Sequence, residues 1–140
     1  MATDNDRDER HARNKIVMDE FRTNNGMVEG RGPLLILHTV GAKSGEPRVN
    51  PMMFMEEGDN WLVFASKGGL PKSPDWYFNL VANPEVKIEV GSEFLDVRAQ
   101  VLTGAERDAV YAKQASEYPI FAEYQSRTER TIPVIGLSKR

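Results

Sequence analysis

Between residues 34 and 65 three short apolar runs follow one another, with links too short to hold a crossover helix. Leu34-Leu35-Ile36-Leu37-His38-Thr39-Val40 is almost continuously apolar and ends at Gly41. That pattern predicts a strand buried on both faces. Val49 to Met55 is a second extended run, although Pro51 argues against a regular central strand there. Gly58-Asp59-Asn60 is a turn signal, and Trp61-Leu62-Val63-Phe64-Ala65 is the third run. Strands joined this closely must be antiparallel neighbours. Farther on, Glu85–Val90 and Phe94–Leu102 alternate apolar and polar about Gly91-Ser92, which predicts a hairpin. Ile132 to Leu137 predicts a closing edge strand. Six antiparallel strands with a few helices between them describe a small barrel with helical decoration.

The helices are marked by their ends. Asp6–Arg10 and Glu9–Arg13 have the acid-first, four-residue spacing of helical ion pairs, and Ile16, Val17 and Phe21 follow before Asn24-Asn25-Gly26. The expectation is a polar segment over residues 1–30, frayed at first, whose short helix docks by its last turns. Residues 31–140 form the barrel domain. Ser73-Pro74 reads as an N-cap with proline at the first helical position, opening a helix over Asp75–Ala82 that stops at Asn83-Pro84. Thr103-Gly104-Ala105-Glu106 has capping-box spacing and predicts a helix to about Ser116; Tyr118-Pro119 opens a further short one.

Composition removes several chemistries. The chain has 140 residues and no cysteine, which excludes disulfides, thiolate nucleophiles and Cys-ligated metals. His11 and His38 are the two histidines, too few for a multi-histidine metal site. With 18 basic against 21 acidic side chains the net charge is −3, a poor match to nucleic acid. No apolar run approaches the ~20 residues of a membrane span, and the charge-dense N-terminus does not resemble a signal peptide. The expected compartment is the cytoplasm. Walker, Rossmann, nucleophile-elbow and paired-histidine zinc motifs are all missing.

Two loops remain that could carry chemistry. Gly41-Ala42-Lys43-Ser44-Gly45-Glu46-Pro47-Arg48 follows the first strand, and Ser66-Lys67-Gly68-Gly69 follows the third. Each joins glycine, a hydroxyl and a cation at a strand end. Glycine lets backbone N–H groups approach an anion, and the cation adds charge. Each also reads as a plain turn with an exposed lysine. The helix Asp75-Trp76-Tyr77-Phe78-Asn79 is dense in aromatic rings; Trp76 and Leu80 share a face, as core packing or as the wall for a planar ring. Tyr118, Phe121 and Tyr124 share one side of a helix, as core or as a lid. His38 reads as a hydrogen-bonded core histidine, and His11 has no assigned role.

Taken in order, these motifs resemble the deazaflavin-dependent nitroreductase and quinone reductase family. The resemblance rests on His38–Pro51, Ala65–Gly69, Pro74–Leu80 with Ala82-Asn83-Pro84, and Tyr118-Pro119, Tyr124-Gln125, Thr128, Arg130 and Ile132-Pro133-Val134. It spans residues 34 to 137 and implies a split β-barrel that binds coenzyme F-420, an 8-hydroxy-5-deazaflavin. By this resemblance Ala42, Lys43 and Ser44 approach the coenzyme's phosphate and anionic tail, with Arg48 beside them. Val49, Asn50, Pro51, Met52 and Met53 line the ring along the second strand. Phe64, Ala65, Ser66 and Lys67 contact it from the third, Asp75, Trp76, Tyr77, Phe78 and Asn79 complete the groove, and Phe121 is the remaining coenzyme-binding residue. Ser66, Tyr118 and Tyr124 are the candidate catalytic groups. Better-known relatives carry tyrosines at the positions of Met53 and Phe121, which bears on the choice of acceptor.

The implied reaction is hydride transfer from the reduced deazaflavin to a flat electron-poor acceptor. Quinones are the expected natural acceptors and nitroaromatics adventitious ones. The alternatives are a non-catalytic deazaflavin carrier and an FMN-dependent split-barrel reductase. In some relatives the N-terminal segment associates with membrane, so a peripheral membrane contact stays open, as does the oligomeric state.

Overall fold

The computed structural model describes the backbone of residues 4–140 and the side chains from residue 9 onward. The elements are α1 (Asp4–Thr23), β1 (Leu34–Val40), β2 (Pro47–Glu57), β3 (Asn60–Phe64), α2 (Asp75–Ala82), β4 (Glu85–Val90), β5 (Glu93–Leu102), α3 (Gly104–Glu117), α4 (Ile120–Ser126) and β6 (Val134–Lys139). The strands close in the order β1-β2-β3-β6-β5-β4, every pair antiparallel. This is the six-stranded barrel that the turn spacing predicts, in the split form that the resemblance implies.

β1 is buried on both faces because each face meets a different partner. Leu35 and Leu37 point into the barrel beside Val63, Ile88, Val97, Ile135 and Leu137. Leu34 and Ile36 point outward and are covered by Phe21, Val17 and Met18 of α1. On the opposite outer wall Leu62, Phe64 and Val134 are roofed by Val110, Tyr111 and Phe121 of α3 and α4. α2 sets Trp76 and Leu80 into the interior cluster. Among the described residues no helix is long and apolar enough to cross a membrane.

Several local expectations are corrected. α1 runs for 20 residues and is not a short helix. Its docking face is Val17, Met18 and Phe21, whereas Ile16 is 69% exposed. The Asp6–Arg10 pair lies outside the described side chains, and Glu9–Arg13 is not among the ion pairs of the described ones. Lys15 instead bonds Asp19 at 2.8 Å. The helix stops where expected, with Asn25 and Gly26 at positive φ.

β2 does run through Pro51, which pairs with Ile36. Phe54 N–H donates to Pro33 O at 3.2 Å, so by alternation the even residues of β2 face β1 and the odd ones face the other way. Pairing with β3 begins only at Phe54. The missing N–H of Pro51 therefore points to an unpaired edge, where a sheet tolerates proline. Pro74, not Ser73, is the N-cap of α2, and the Ser73 hydroxyl accepts from Arg130 Nη1 at 3.1 Å. Thr103 caps α3 without a side-chain bond. β6 is no edge strand: it lies between β3 and β5, starting at Val134.

Candidate active site

The stretch Pro47–Met53, paired with β1 alone, leaves a split in the barrel wall. Opposite lies the segment that joins β3 to α2. Between them is a cavity of ≈ 640 Å³ whose wall includes Arg48, Val49, Asn50, Pro51, Lys67, Asp75, Trp76 and Asn79. The family resemblance assigns these eight residues to coenzyme binding, and here they line one cavity. α1 supplies Arg10, His11, Asn14 and Met18, and Pro47 and Pro74 complete the wall. By the same alternation Val49 and Met53 turn their N–H groups, and Pro51 its carbonyl, toward the split. The groove thus offers a row of backbone donors and acceptors, with three cations, Arg10, Arg48 and Lys67, and one carboxylate, Asp75, in its lining.

Each glycine loop reaches this groove by one part only, the first through Pro47 and Arg48 and the second through Lys67. In the β1–β2 hairpin, Gly41 N–H donates to Glu46 O at 2.8 Å and Gly45 N–H to Gly41 O at 2.9 Å. The Ser44 hydroxyl accepts from Glu46 N–H at 3.2 Å. Ala42 N–H donates to Asn79 Oδ1 at 2.9 Å, and Asn79 Nδ2 donates to Thr39 Oγ1 at 3.1 Å, tying the hairpin to α2. Ala42, Lys43 and Ser44 lie beyond the cavity wall, with Lys43 exposed.

The second loop is held from outside. Arg130 Nη2 donates to Ser66 O at 2.9 Å, Nη1 to Ala65 O at 3.2 Å and to the Ser73 hydroxyl, and Nε to Leu70 O at 2.9 Å. Burial lowers the Arg130 pKa from the ordinary guanidinium value, with no carboxylate among its partners. Lys67, Gly68 and Gly69 all take positive φ, and a Cβ on Gly69 would lie 2.5 Å from Tyr124 O. Arg130 itself sits in a segment fixed by Gln125, whose Nε2 donates to Arg130 O at 2.7 Å and whose Oε1 accepts from Arg107 at 2.8 Å.

The remaining candidates separate. Phe64 and Ala65 are buried, Phe64 under α4 and Ala65 inside the barrel. Tyr77 is half-buried and Phe78 exposed on the far side of α2, their rings 5.3 Å apart. Phe121 is core, 5.4 Å from both Phe64 and Tyr124. The Tyr111 hydroxyl donates to its carbonyl at 2.6 Å, and burial pushes that phenol's pKa up. Ser66 is half-buried at the start of the second loop. Tyr118 is placed by Gly32: a Cβ there would come within 2.8 Å of Met53 Cε and 3.2 Å of the Tyr118 hydroxyl. Met52 and Met53 line a second, smaller cavity of ≈ 290 Å³ beside the first.

Sequence reading missed α1 as a wall, and with it His11, and it missed Arg130 as the clamp. Arg10, Asn14 and Met18 recur at helical spacing, and that stripe was the available signal; its polar start hid it. His38 is hydrogen-bonded as read but is half-buried and lies outside the core: its Nε2 bonds Glu89 Oε2 at 2.6 Å, and Arg22 Nη2 reaches the same carboxylate at 2.8 Å.

The comparisons with known proteins agree with this geometry. The family model described as F-420H(2)-dependent quinone reductase matches residues 13–139. An F-420H(2)-dependent quinone reductase of Mycobacterium tuberculosis (strain H37Rv) is 41% identical over 130 residues, which are 86% of this chain and 85% of the relative. Among solved structures, an F-420-H2 dependent reductase (FDR-A) aligns with a TM-score of 0.69 at 44% identity, over 76% of this chain and 94% of its own. A second, described as a domain-swapped dimer, aligns with a TM-score of 0.71 at 38% identity, over 94% and 98%. A barrel split at Pro51, a groove opening on that split and a match over nearly the whole length together make this chain a member of the F-420H(2)-dependent quinone reductase family.

Proposed function

We propose that the groove between β2 and α2 binds coenzyme F-420 and that the protein reduces a quinone held at the Met53 end. The observation that carries this reading is the unpaired edge of β2 over Pro47–Met53, facing Trp76 and Lys67 across the cavity. A planar heterocycle with donors and acceptors on its rim suits alternating backbone N–H and C=O groups, and an aromatic wall suits its face. A cavity of ≈ 640 Å³ is in the size range of cofactor clefts. The residues present therefore fit a long, flat, anionic coenzyme.

When bound, reduced F-420 supplies a hydride; the quinone takes up that hydride and one proton to become a hydroquinone, leaving the coenzyme oxidised. The chain's own residues bind, orient and exclude water. Lys67 and Arg48 set charge at the rim, with Lys43 and the Ser44 hydroxyl farther out along the same hairpin for the tail. Asn79 holds the hairpin in place, and Trp76 walls the ring. Tyr118, with its hydroxyl beside Met53, is the proposed proton donor to the acceptor. Tyr124 of α4 packs against the same cluster as Met53, and Ser66 precedes Lys67 in the second loop.

The test is a titration of the protein with oxidised F-420 and, separately, FMN, read by tryptophan fluorescence and followed by turnover with menadione. Saturable quenching by F-420 that largely disappears in Trp76→Phe, together with oxidation of reduced F-420 by menadione, is the expected result. Preference for FMN would move the protein to flavin chemistry. Binding without turnover would make it a carrier, and quenching that survives in Trp76→Phe would displace the ring from α2.

A further inference from the structure

Beside the main groove lies the smaller cavity of ≈ 290 Å³, and its chemistry is lopsided. Its floor is apolar, from Val17, Leu34, Pro51, Met52 and Met53, while three arginines, Arg10, Arg13 and Arg31, converge on it. No carboxylate lines it, and among the described residues neither Arg13 nor Arg31 forms an ion pair. Two of the arginines come from α1 and the third from the link into β1, where Arg31 N–H is held by Val28 O at 3.2 Å. Three converging guanidinium groups repel one another until an anion sits between them, and a guanidinium pairs with a carboxylate or sulfonate through two parallel hydrogen bonds.

The two cavities share Arg10, Asn14 and Pro51, so an occupant of one adjoins an occupant of the other. The hairpin assigned to the coenzyme's tail lies at the opposite end of β2. From Pro47 to Met53 is about 20 Å of strand. The Tyr118 hydroxyl stands on the Met53 side. Resting on the reading of the groove as the coenzyme site, we infer that this second cavity is an acceptor subsite selective for flat aromatic acceptors bearing a negative charge, such as carboxylated or sulfonated quinones. The apolar floor takes the ring and the arginines take the anionic substituent. This local field opposes the protein's net charge of −3, so charged acceptors are drawn to one place on the surface.

The experiment uses two isosteric probes, naphthalene-2-sulfonate and the neutral naphthalene-2-sulfonamide. Each is titrated calorimetrically into the protein saturated with oxidised F-420 and tested as an inhibitor of menadione reduction. The sulfonate should bind about tenfold more tightly, a preference that shrinks with added salt. Arg13→Gln and Arg31→Gln should each cut that preference severalfold, and Arg31→Lys should keep most of it. Equal binding of the two probes, or a preference unmoved in both glutamine variants, would overturn the inference. Loss of F-420 affinity in those variants with the preference unmoved would assign the arginines to the coenzyme's carboxylate tail and overturn it equally. Absence of F-420 binding by the wild type would remove the parent reading instead, and titration of the coenzyme-free protein with the two probes would then decide the subsite by itself.

Discussion

The two glycine loops look alike in the sequence and are held in opposite ways. The β1–β2 hairpin is stabilised mostly from within, by short-range turn bonds, with Asn79 as its link to α2. The loop after β3 is stabilised from without, since its carbonyls accept from an arginine more than sixty positions away and its last glycine lies against Tyr124. Similar residues at a strand end thus yield one loop free to adjust and one locked in place. A coenzyme with a flexible anionic tail and a rigid ring would need that division of labour.

Removing the clamp should have the largest effect. Arg130→Ala strips hydrogen-bond donors from several carbonyls at once, so unfolding should become easier by about 3 kcal/mol. Thermal denaturation measures this, and an unchanged midpoint would erase the contrast between the loops. Next come the glycines, which test the same contrast at single positions. Gly69→Ala combines a positive φ with overlap onto the backbone of α4 and should cost about 2 kcal/mol. Gly45→Ala has positive φ but open space around it, so about 1 kcal/mol is expected. Equal losses in urea denaturation would mean that backbone conformation alone, and not the surroundings, sets the difference.

The smallest effect belongs to a contact remote from both loops. Arg22, hydrogen-bonded to Glu89 through Nε and Nη2, holds the Glu89 carboxyl below its ordinary range, with His38 adding to the effect and desolvation opposing it. Because the native value is lowered, the stabilisation is complete above the ordinary carboxylate range and is lost as pH falls through the native value. Glu89→Gln should therefore cost about 0.5 kcal/mol at neutral pH, and the gap from wild type should close in acid. A gap that persists in acid would show that shape, and not charge, anchors α1 to β4.

Punctuation explains what could be read directly. β1, α2 and β4 begin and end where Gly41, Pro74, Asn83-Pro84 and Gly91 interrupt the pattern, because these residues restrict the backbone locally. Their order was enough for the barrel, while the eight groove residues came from the family resemblance. What stayed hidden depended on distant partners. Pro51 looked like an obstacle because the split that accommodates it exists only once β3 turns away. β6 looked like an edge because nothing local says that two strands will flank it. Arg10 and Asn14 looked solvated because a cavity wall, unlike a core, admits polar groups at helical spacing.

That β6 lies between β3 and β5 has a consequence for how the protein is made. The strand that closes the barrel, Val134–Lys139, comes after the other described strands in chain order, so on a translating ribosome the sheet must wait for it. Until β6 emerges, β3 and β5 are open edges with unpaired backbone groups, the state in which sheets recruit foreign strands. The nascent chain is therefore most vulnerable to aggregation just before β6 emerges. Losing only that strand would leave it there permanently.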